Sequence, residues 1–162
     1  MSDSEVRWLN EAEAAAWVPL VTTMMWLPSA LDTQLLRDAG ISHYEYGVLS
    51  ALSMGEGRTR RLSELARFAN STLSRLSKVV NRLSTQGWVE RHPDPEDGRS
   101  TLATLTEAGW EKVVAAAPGH VERVRELIFD QLTPTEVDQL GAIVTKLSAT
   151  IGTDGACADR IG

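Results

Sequence analysis

Residues 70–106 read NSTLSRLSKVVNRLSTQGWVERHPDPEDGRSTLATLT and join a cationic helix-like segment to two strand-like segments. At about 100° per residue on a helical wheel, the cations of residues 71–82 fall on one side and the aliphatic side chains on the other. The segments 88–92 and 101–105 alternate like β-strands around a loop rich in proline and glycine. A short helix-like segment, residues 61–69, precedes them. The order of two helices and then a charged hairpin predicts a winged helix-turn-helix.

We expect the cationic side of the second helix to enter a DNA major groove. Arginine can bridge the two acceptors of guanine, small hydroxyls can bond bases or phosphates, and a helix N-terminus attracts anions. The DNA-contacting side chains predicted on this helix are Ser71, Thr72, Ser74, Arg75, Lys78 and Arg82. The side chains predicted to pack inward are Leu73, Leu76, Val80 and Leu83. For this helix alone, a solvated cationic face without a partner is the alternative.

The hairpin loop carries an arginine, Arg99, just beyond three carboxylates. In a winged helix this loop reaches the adjacent minor groove, whose narrow A/T-rich stretches attract an inserted arginine. We predict that Arg99 contacts DNA in this way and that Asp97 holds its guanidinium and shapes the turn with Gly98. The alternative is a local salt bridge between Asp97 and Arg99, worth under about 1 kcal/mol if exposed.

Helices are predicted for most of the remaining chain. The six predicted helices cover residues 10–39, 42–54, 61–69, 70–87, 106–131 and 133–151. Pro19 and Pro28 are expected to kink or break the first helix, because proline removes an amide donor and crowds the preceding turn. The stretch 117–120, APGH, is expected to bend the fifth.

Two apolar series near the C-terminus keep a seven-residue period. They are Val114, Ala117, Val121, Val124 and Ile128, followed by Val137, Leu140, Val144, Leu147 and Ile151. Such stripes are typical of helices that pack within one chain or between two. We expect a mainly α fold with one β-hairpin, in which residues 1–40 and 107–162 form a dimerisation region. Residues 41–106 form the winged helix-turn-helix of the same continuous domain.

The distribution of charge supports a nucleic-acid partner although the whole chain carries a net charge of −6. Residues 58–99 hold nine Lys/Arg against five Asp/Glu, a net of +4, and the rest holds seven against seventeen, a net of −10. A basic centre between acidic ends is typical of a nucleic-acid reader on a separate scaffold.

The motifs of an enzyme or a metal site are missing from the sequence. It has no glycine-rich phosphate loop and no G-x-S-x-G elbow, and the histidines at 43, 92 and 120 lack metal-ligand spacing. We therefore expect no catalysis, no cofactor and no metal. The lone Cys157 allows no intramolecular disulfide. Without a signal peptide or an apolar run of about 18 residues, a cytoplasmic protein with no membrane partner is expected.

The sequence resembles the MarR family of bacterial transcription regulators from about Trp8 to Ile151. The most specific segment is TQGWVERHPDPEDGRSTLATLTEAG, residues 85–109, which is similar to the end of that family's recognition helix, its wing and its fifth helix. The resemblance implies a homodimer with interlocking terminal helices on a pseudo-palindromic operator. It also implies repression that is relieved by a small aromatic or anionic ligand between the dimerisation helices and the DNA-binding lobe.

Candidate contacts for such a ligand lie on the first, second and fifth predicted helices. They are Trp17, Met24, Trp26, His43, Tyr46 and His120. The alternative is that these aromatic and methionine side chains belong to the core or the dimer interface. An architectural or protein-interaction module that uses the winged fold without operator specificity is the alternative function.

Overall fold

The computed structural model describes residues 6–151, so Cys157 and the C-terminal tail lie outside the described residues. Within that range the α-helices are α1 (Glu11–Ala39), α2 (His43–Ser53), α3 (Leu62–Phe68), α4 (Leu73–Thr85), α5 (Glu107–Leu127) and α6 (Pro134–Ile151). Short 3₁₀ turns cover Glu56–Arg58 and Phe129–Gln131. The strands are β1 (Thr59–Arg61), β2 (Val89–Pro93) and β3 (Thr101–Leu105), which form an antiparallel sheet in the order β1-β3-β2. The mainly helical winged fold is confirmed.

The predicted helix starts rest on side-chain caps. Asn10 accepts a hydrogen bond from the amide of Glu13 at 2.8 Å, and the Glu13 carboxylate accepts one from the amide of Asn10 at 2.9 Å. Ser42 and Glu45 form the same capping box at the start of α2. Gly40 ends α1 at φ +66°, in the left-handed region that glycine adopts without a steric penalty.

The first helix runs unbroken through Pro19 and Pro28, so the expectation of a break is wrong. Each proline removes one hydrogen bond, but the flanking turns keep theirs and extend to the Asn10 cap. The hydroxyls of Thr22 and Thr23 also bond the carbonyls of Val18 and Pro19 at 2.9 Å. α5 likewise continues through Pro118 but ends at Leu127, short of the predicted residue 131, where the chain tightens into a 3₁₀ turn.

The sheet has a third strand, β1, that the predicted hairpin lacks. Thr59 pairs with Thr104 and Arg61 with Leu102, so β1 lies along the free edge of β3. The preceding glycines permit the tight turn that leads into β1. A Cβ at Gly55 would lie 2.6 Å from the carbonyl oxygen of Thr59, and Gly57 has φ +55°. A three-residue strand is too short to show an alternating pattern, which is why the sequence predicts only the hairpin.

The core lies inside the winged region and reaches into the ends of α1 and α5. Its fully buried large side chains are Leu35, Ile41, Val48, Leu49, Leu52, Leu65, Leu76, Val80, Leu83 and Val89. The predicted inward positions Leu76, Val80 and Leu83 of α4 are therefore confirmed. Leu73 is 52% exposed, so its predicted burial is wrong: it stands in the first turn of α4, outside the buried core.

The terminal helices expose most of their apolar surface. No described residue of α6 is buried, and in α1 only Leu31, Gln34 and Leu35 are. By length and composition alone α1 could cross a membrane. However, its last turns pack into the core of the winged region, and the first turn carries Glu11 and Glu13. Exposed apolar side chains that follow one another along both terminal helices are typical of an interaction surface.

Candidate nucleic-acid interface

The predicted DNA-contacting side of α4 faces outward in the structure. Thr72 caps the helix by accepting a hydrogen bond from the amide of Arg75 at 3.2 Å. Ser74, Arg75 and Lys78 are exposed, and Ser71 is half-buried in the turn between α3 and α4. These side chains share one surface because Leu76, Val80 and Leu83 fix the opposite face of α4 in the core.

Arg75 and Arg82 are each held by a side chain of α2. The guanidinium of Arg75 lies 5.2 Å from the ring centroid of Tyr44, which is a cation–π contact. Nη2 of Arg82 lies 2.6 Å from Oε1 of the buried Glu45. This ion pair orients Arg82 toward α2 and leaves only part of its donors for another partner. The prediction did not include either contact.

The base of the wing, meaning the β2–β3 hairpin, is tied to β1. The carboxylate of Asp94 is buried and accepts a hydrogen bond from Nε of Arg61 at 2.6 Å and one from the amide of Glu96 at 2.9 Å. Glu96 itself lies 3.5 Å from the same arginine. The Glu96 amide, followed by Arg61, lowers the pKa of Asp94, and Asp94 in turn raises the pKa of Arg61.

Asp97 shapes the wing turn as predicted but does not hold the guanidinium of Arg99. Its carboxylate accepts hydrogen bonds from the hydroxyl of Ser100 at 2.7 Å and from the backbone amide of Arg99 at 3.1 Å. These two donors lower the pKa of Asp97. Among residues 6–151 the Arg99 side chain forms no ion pair, so that part of the prediction is wrong. The wing turn is therefore held by the Arg99 amide and the Ser100 hydroxyl, and the Arg99 side chain is exposed.

The pairing of Arg61 with Asp94 at the base of the wing is not predictable from the sequence pattern. They lie 33 positions apart, and only the unpredicted strand β1 brings them together. The outer face of the sheet carries a polar chain that was also unpredicted: Thr104 bonds Thr59 at 2.8 Å and His92 at 2.9 Å.

Three of the six candidate ligand contacts come together between α2 and α5. The ring of His120 lies 4.6 Å from that of Tyr46 and 5.7 Å from that of His43, centroid to centroid. Burial lowers the pKa of both histidines, while nearby Asp32, which accepts the amide hydrogen bond of His43, opposes the shift there. Nδ1 of His120 is buried without a hydrogen-bond partner among the described residues.

The other three candidates lie apart from this cluster on α1. Trp26 lines a groove of about 770 Å³ between α1 and the end of α5, together with Thr22, Thr33 and Leu127. Trp17 and Met24 are exposed and line neither this groove nor the histidine cluster as described. Over residues 6–151, no group of three or more His, Cys, Asp or Glu side chains has the geometry of a metal site.

Comparison with known proteins gives a consistent set of relatives. A family profile described as the MarR family matches residues 39–100. The HTH-type transcriptional regulator YkoM of Bacillus subtilis is 30% identical over 85% of this chain and 89% of its own length. YdcH of the same organism is 33% identical over 58% of this chain, and that match covers 65% of the relative, just under two thirds of its length.

Solved structures extend the likeness to nearly the whole chain. The crystal structure of Sco3205, a MarR family transcriptional regulator from Streptomyces coelicolor in complex with DNA, is 41% identical, with a TM-score of 0.86 over 93% of this chain and 94% of that one. These relatives are transcriptional regulators and not enzymes, in agreement with the sequence prediction.

Proposed function

Since this chain belongs to the MarR family of transcriptional regulators, we propose that two copies bind a pseudo-palindromic DNA operator and repress transcription from it. The observation that carries the proposal is the outward cationic face of α4 beside Arg99, an exposed arginine on a wing that is tied to β1. The proposed DNA contacts are Ser71, Thr72, Ser74, Arg75, Lys78, Arg82 and Arg99, with Asp97 shaping the turn.

The exposed apolar surface of the terminal helices supports the dimer. α6 presents Leu140, Val144 and Leu147 to solvent, and α1 presents Trp17 and Trp26. A monomer would leave this surface in water, whereas a second copy covers it. In the proposed assembly, residues 1–40 and 107–162 form the interface and residues 41–106 carry the DNA-binding surface. Such a dimer is a soluble, cytoplasmic protein.

The names of relatives support the proposed role as a repressor. The Transcriptional repressor MprA of Escherichia coli is 29% identical over 70% of this chain and 64% of its own length. The cluster of His43, Tyr46 and His120 lies between α5 of the dimerisation region and α2 of the DNA-binding region. A small aromatic or anionic ligand bound there would act on α2, which holds Arg75 and Arg82 through Tyr44 and Glu45.

DNA titration tests this proposal. Duplexes recovered by selection from random sequence are titrated, at stated salt, with wild-type protein and with Arg75→Ala and Arg99→Ala. We expect Arg75→Ala to lose about 1–3 kcal/mol of preference for the selected duplex over random sequence. Arg99→Ala should lose preference for A/T-rich flanks. Unchanged binding by both variants would instead favour a winged interaction module without operator specificity.

Addition of phenolic and anionic compounds to the same titration tests for release. A compound that weakens binding by the wild type but not by His120→Ala would support the effector cluster. If no compound in a broad panel weakens binding, the repressor is not released by ligands of this class.

A further inference from the structure

A small cleft lies between the recognition helix α4 and the wing. Leu73 and Ser77 of α4 form one wall, Arg91 and Arg99 of the wing form the other, and Ser63 of α3 lies at one end. The cleft encloses about 200 Å³. Small-molecule pockets usually measure about 300–1,000 Å³, so the cleft suits a compact group rather than a drug-sized ligand. We call it the α4–wing cleft.

The chemistry of the α4–wing cleft favours an anion. None of its eight lining residues is acidic. The nearby carboxylate of Asp97 is already engaged by the amide of Arg99 and the hydroxyl of Ser100. In the part of the chain that the structure describes, the hydroxyls of Ser63 and Ser77 and the guanidinium of Arg99 have no hydrogen-bond partner, so their donors are available.

Arg91 is oriented toward the cleft by a residue of α4. Its Nη1 donates a hydrogen bond to Oδ1 of Asn81. Asn81 stands one turn after Ser77 on the same side of the helix. One donor of the guanidinium is thus fixed on α4, and the other donors of the planar fork remain for a ligand. This bond places a cation beside the wall that carries the Ser77 hydroxyl.

The position of the cleft identifies the source of the anion. When a recognition helix occupies a major groove and a wing occupies the adjacent minor groove, the sugar-phosphate strand that separates the two grooves passes between helix and wing. That path crosses the α4–wing cleft. We propose that the cleft holds one backbone phosphate of this strand through Arg91, Ser77 and Ser63, with Asn81 as the residue that positions Arg91.

This inference rests on the proposed DNA binding and deepens it, because it separates two kinds of contact. The cleft residues meet a phosphate and carry no sequence information, whereas Arg75 meets bases. Loss of Arg91 should therefore weaken binding to every duplex to the same degree. Loss of Arg75 should instead change the ratio of the affinities for the selected and the random-sequence duplex.

The test is a salt series of fluorescence anisotropy titrations with a selected duplex and a random-sequence duplex. For Arg91→Ala we expect roughly tenfold weaker binding to both duplexes, as for one lost charge-assisted contact. The slope of log K against log salt should fall in magnitude by about one, the value for one phosphate contact. Lys146→Ala, which removes one exposed cation from α6, is the control. Because α6 belongs to the proposed dimer interface, this variant is first shown to be dimeric by sedimentation velocity, and it should then leave the slope unchanged.

A second variant keeps the test decisive if Arg91→Ala fails to fold. Ser77→Asp keeps both Arg91 and Asn81 but places a carboxylate in the cleft, where it repels a phosphate and competes for Arg91, so it should also weaken binding to both duplexes alike. If the wild type binds DNA and either folded variant keeps the wild-type slope of log K against log salt, the cleft does not bind a backbone phosphate, while the proposed function stands. If the wild type binds no duplex, the proposed function itself fails.

Free phosphate is the other source of this anion, and a DNA-free arm distinguishes it. Inorganic phosphate is compared with chloride at equal ionic strength by thermal unfolding of wild type and Arg91→Ala. We expect the same melting temperature in both salts for both proteins. A phosphate-specific rise that disappears in Arg91→Ala would show a free-anion site and overturn the assignment to the DNA backbone.

Discussion

Oε1 of Glu45 in α2 lies 2.6 Å from Nη2 of Arg82 in α4, so the second helix is tied to the recognition helix by an ion pair. The other oxygen, Oε2, accepts hydrogen bonds from the amide and the hydroxyl of Ser42, each at 2.8 Å. The Glu45 side chain is only 10% exposed, and that of Arg82 is 59% exposed. Removal of the arginine would therefore leave a nearly buried carboxylate oxygen without a partner.

Arg82→Ala should destabilise the fold as well as any DNA complex. We expect the free energy of unfolding to fall by about 1–2 kcal/mol, because a buried acceptor loses its charged donor while some water can still enter. Urea denaturation followed by circular dichroism measures this change. Lys78→Ala is the matched control, since Lys78 is an exposed cation on the same helix. Equal unfolding midpoints for the two variants would show that the pair adds no stability.

The apposed histidines predict a loss of stability in mild acid. The pKa values of His43 and His120 are lowered in the folded protein, so the unfolded chain binds protons more readily. The two neutral histidines contribute their full stabilisation of the fold at pH values above 6.5, the ordinary pKa of histidine. This stabilisation is lost as the pH falls from 6.5 through the lowered pKa values of the folded state. Asp94 and Asp97, whose pKa values lie below 3.8, titrate outside this window.

Urea midpoints between about pH 7.5 and about pH 5.5 measure this effect. The wild type should lose stability over this range, and His120→Gln should flatten the dependence. His92→Gln, which removes a histidine from the exposed face of the sheet, serves as the control. A pH dependence that is identical in wild type and His120→Gln would rule out the histidine pair as its cause.

The stripe on α6 predicts that one charge can disrupt the dimer. Leu140→Glu places a carboxylate among the exposed apolar side chains Val144 and Leu147, and a buried unpaired charge is costly. Sedimentation velocity should show a shift from dimer toward monomer. Gln139→Glu adds the same group one position away, off the stripe, and should remain dimeric. A dimeric Leu140→Glu protein would place the interface elsewhere.

We expect the Asp94 carboxylate to stiffen the wing by holding it to Arg61 of β1. Asp94→Asn weakens the bond from Arg61 while the chain length and side-chain shape stay the same. Hydrogen exchange should become faster at the amides of Glu96 and Ser100, and β1 should loosen from β3. Asp130→Asn, which removes an exposed carboxylate paired with Arg125, is the control and should leave wing exchange unaltered. Unchanged wing exchange in Asp94→Asn would mean that the turn is held by Asp97 alone.

The helices and the hairpin could be predicted from the sequence because the residues that specify each of them are close together in the chain. Capping residues such as Asn10 and Ser42 act on amides three positions away, and the apolar face of α4 repeats with the period of one helix. These signals predict each element without knowledge of its neighbours. They also predict which face of α4 points outward.

The contacts that orient the cations could not be predicted, because they join distant parts of the chain. Arg61 pairs with Asp94 across 33 positions, and Arg82 reaches Glu45 on another helix. The exposure of Leu73 has the same origin: its place on the wheel is apolar, but it stands in the first turn of α4 and faces the open cleft between α4 and the wing. The position of Leu73 along the helix axis decides whether it is buried, and a helical wheel shows only the angular position of a residue.

Hydroxyl-radical footprinting of a selected duplex tests most directly whether two copies present α4 and Arg99 to successive turns of DNA. The account predicts two protected regions about 10–10.5 base pairs apart, each flanked by minor-groove protection that is lost with Arg99→Ala. A single protected region, or flanking protection that persists without the Arg99 side chain, would contradict it.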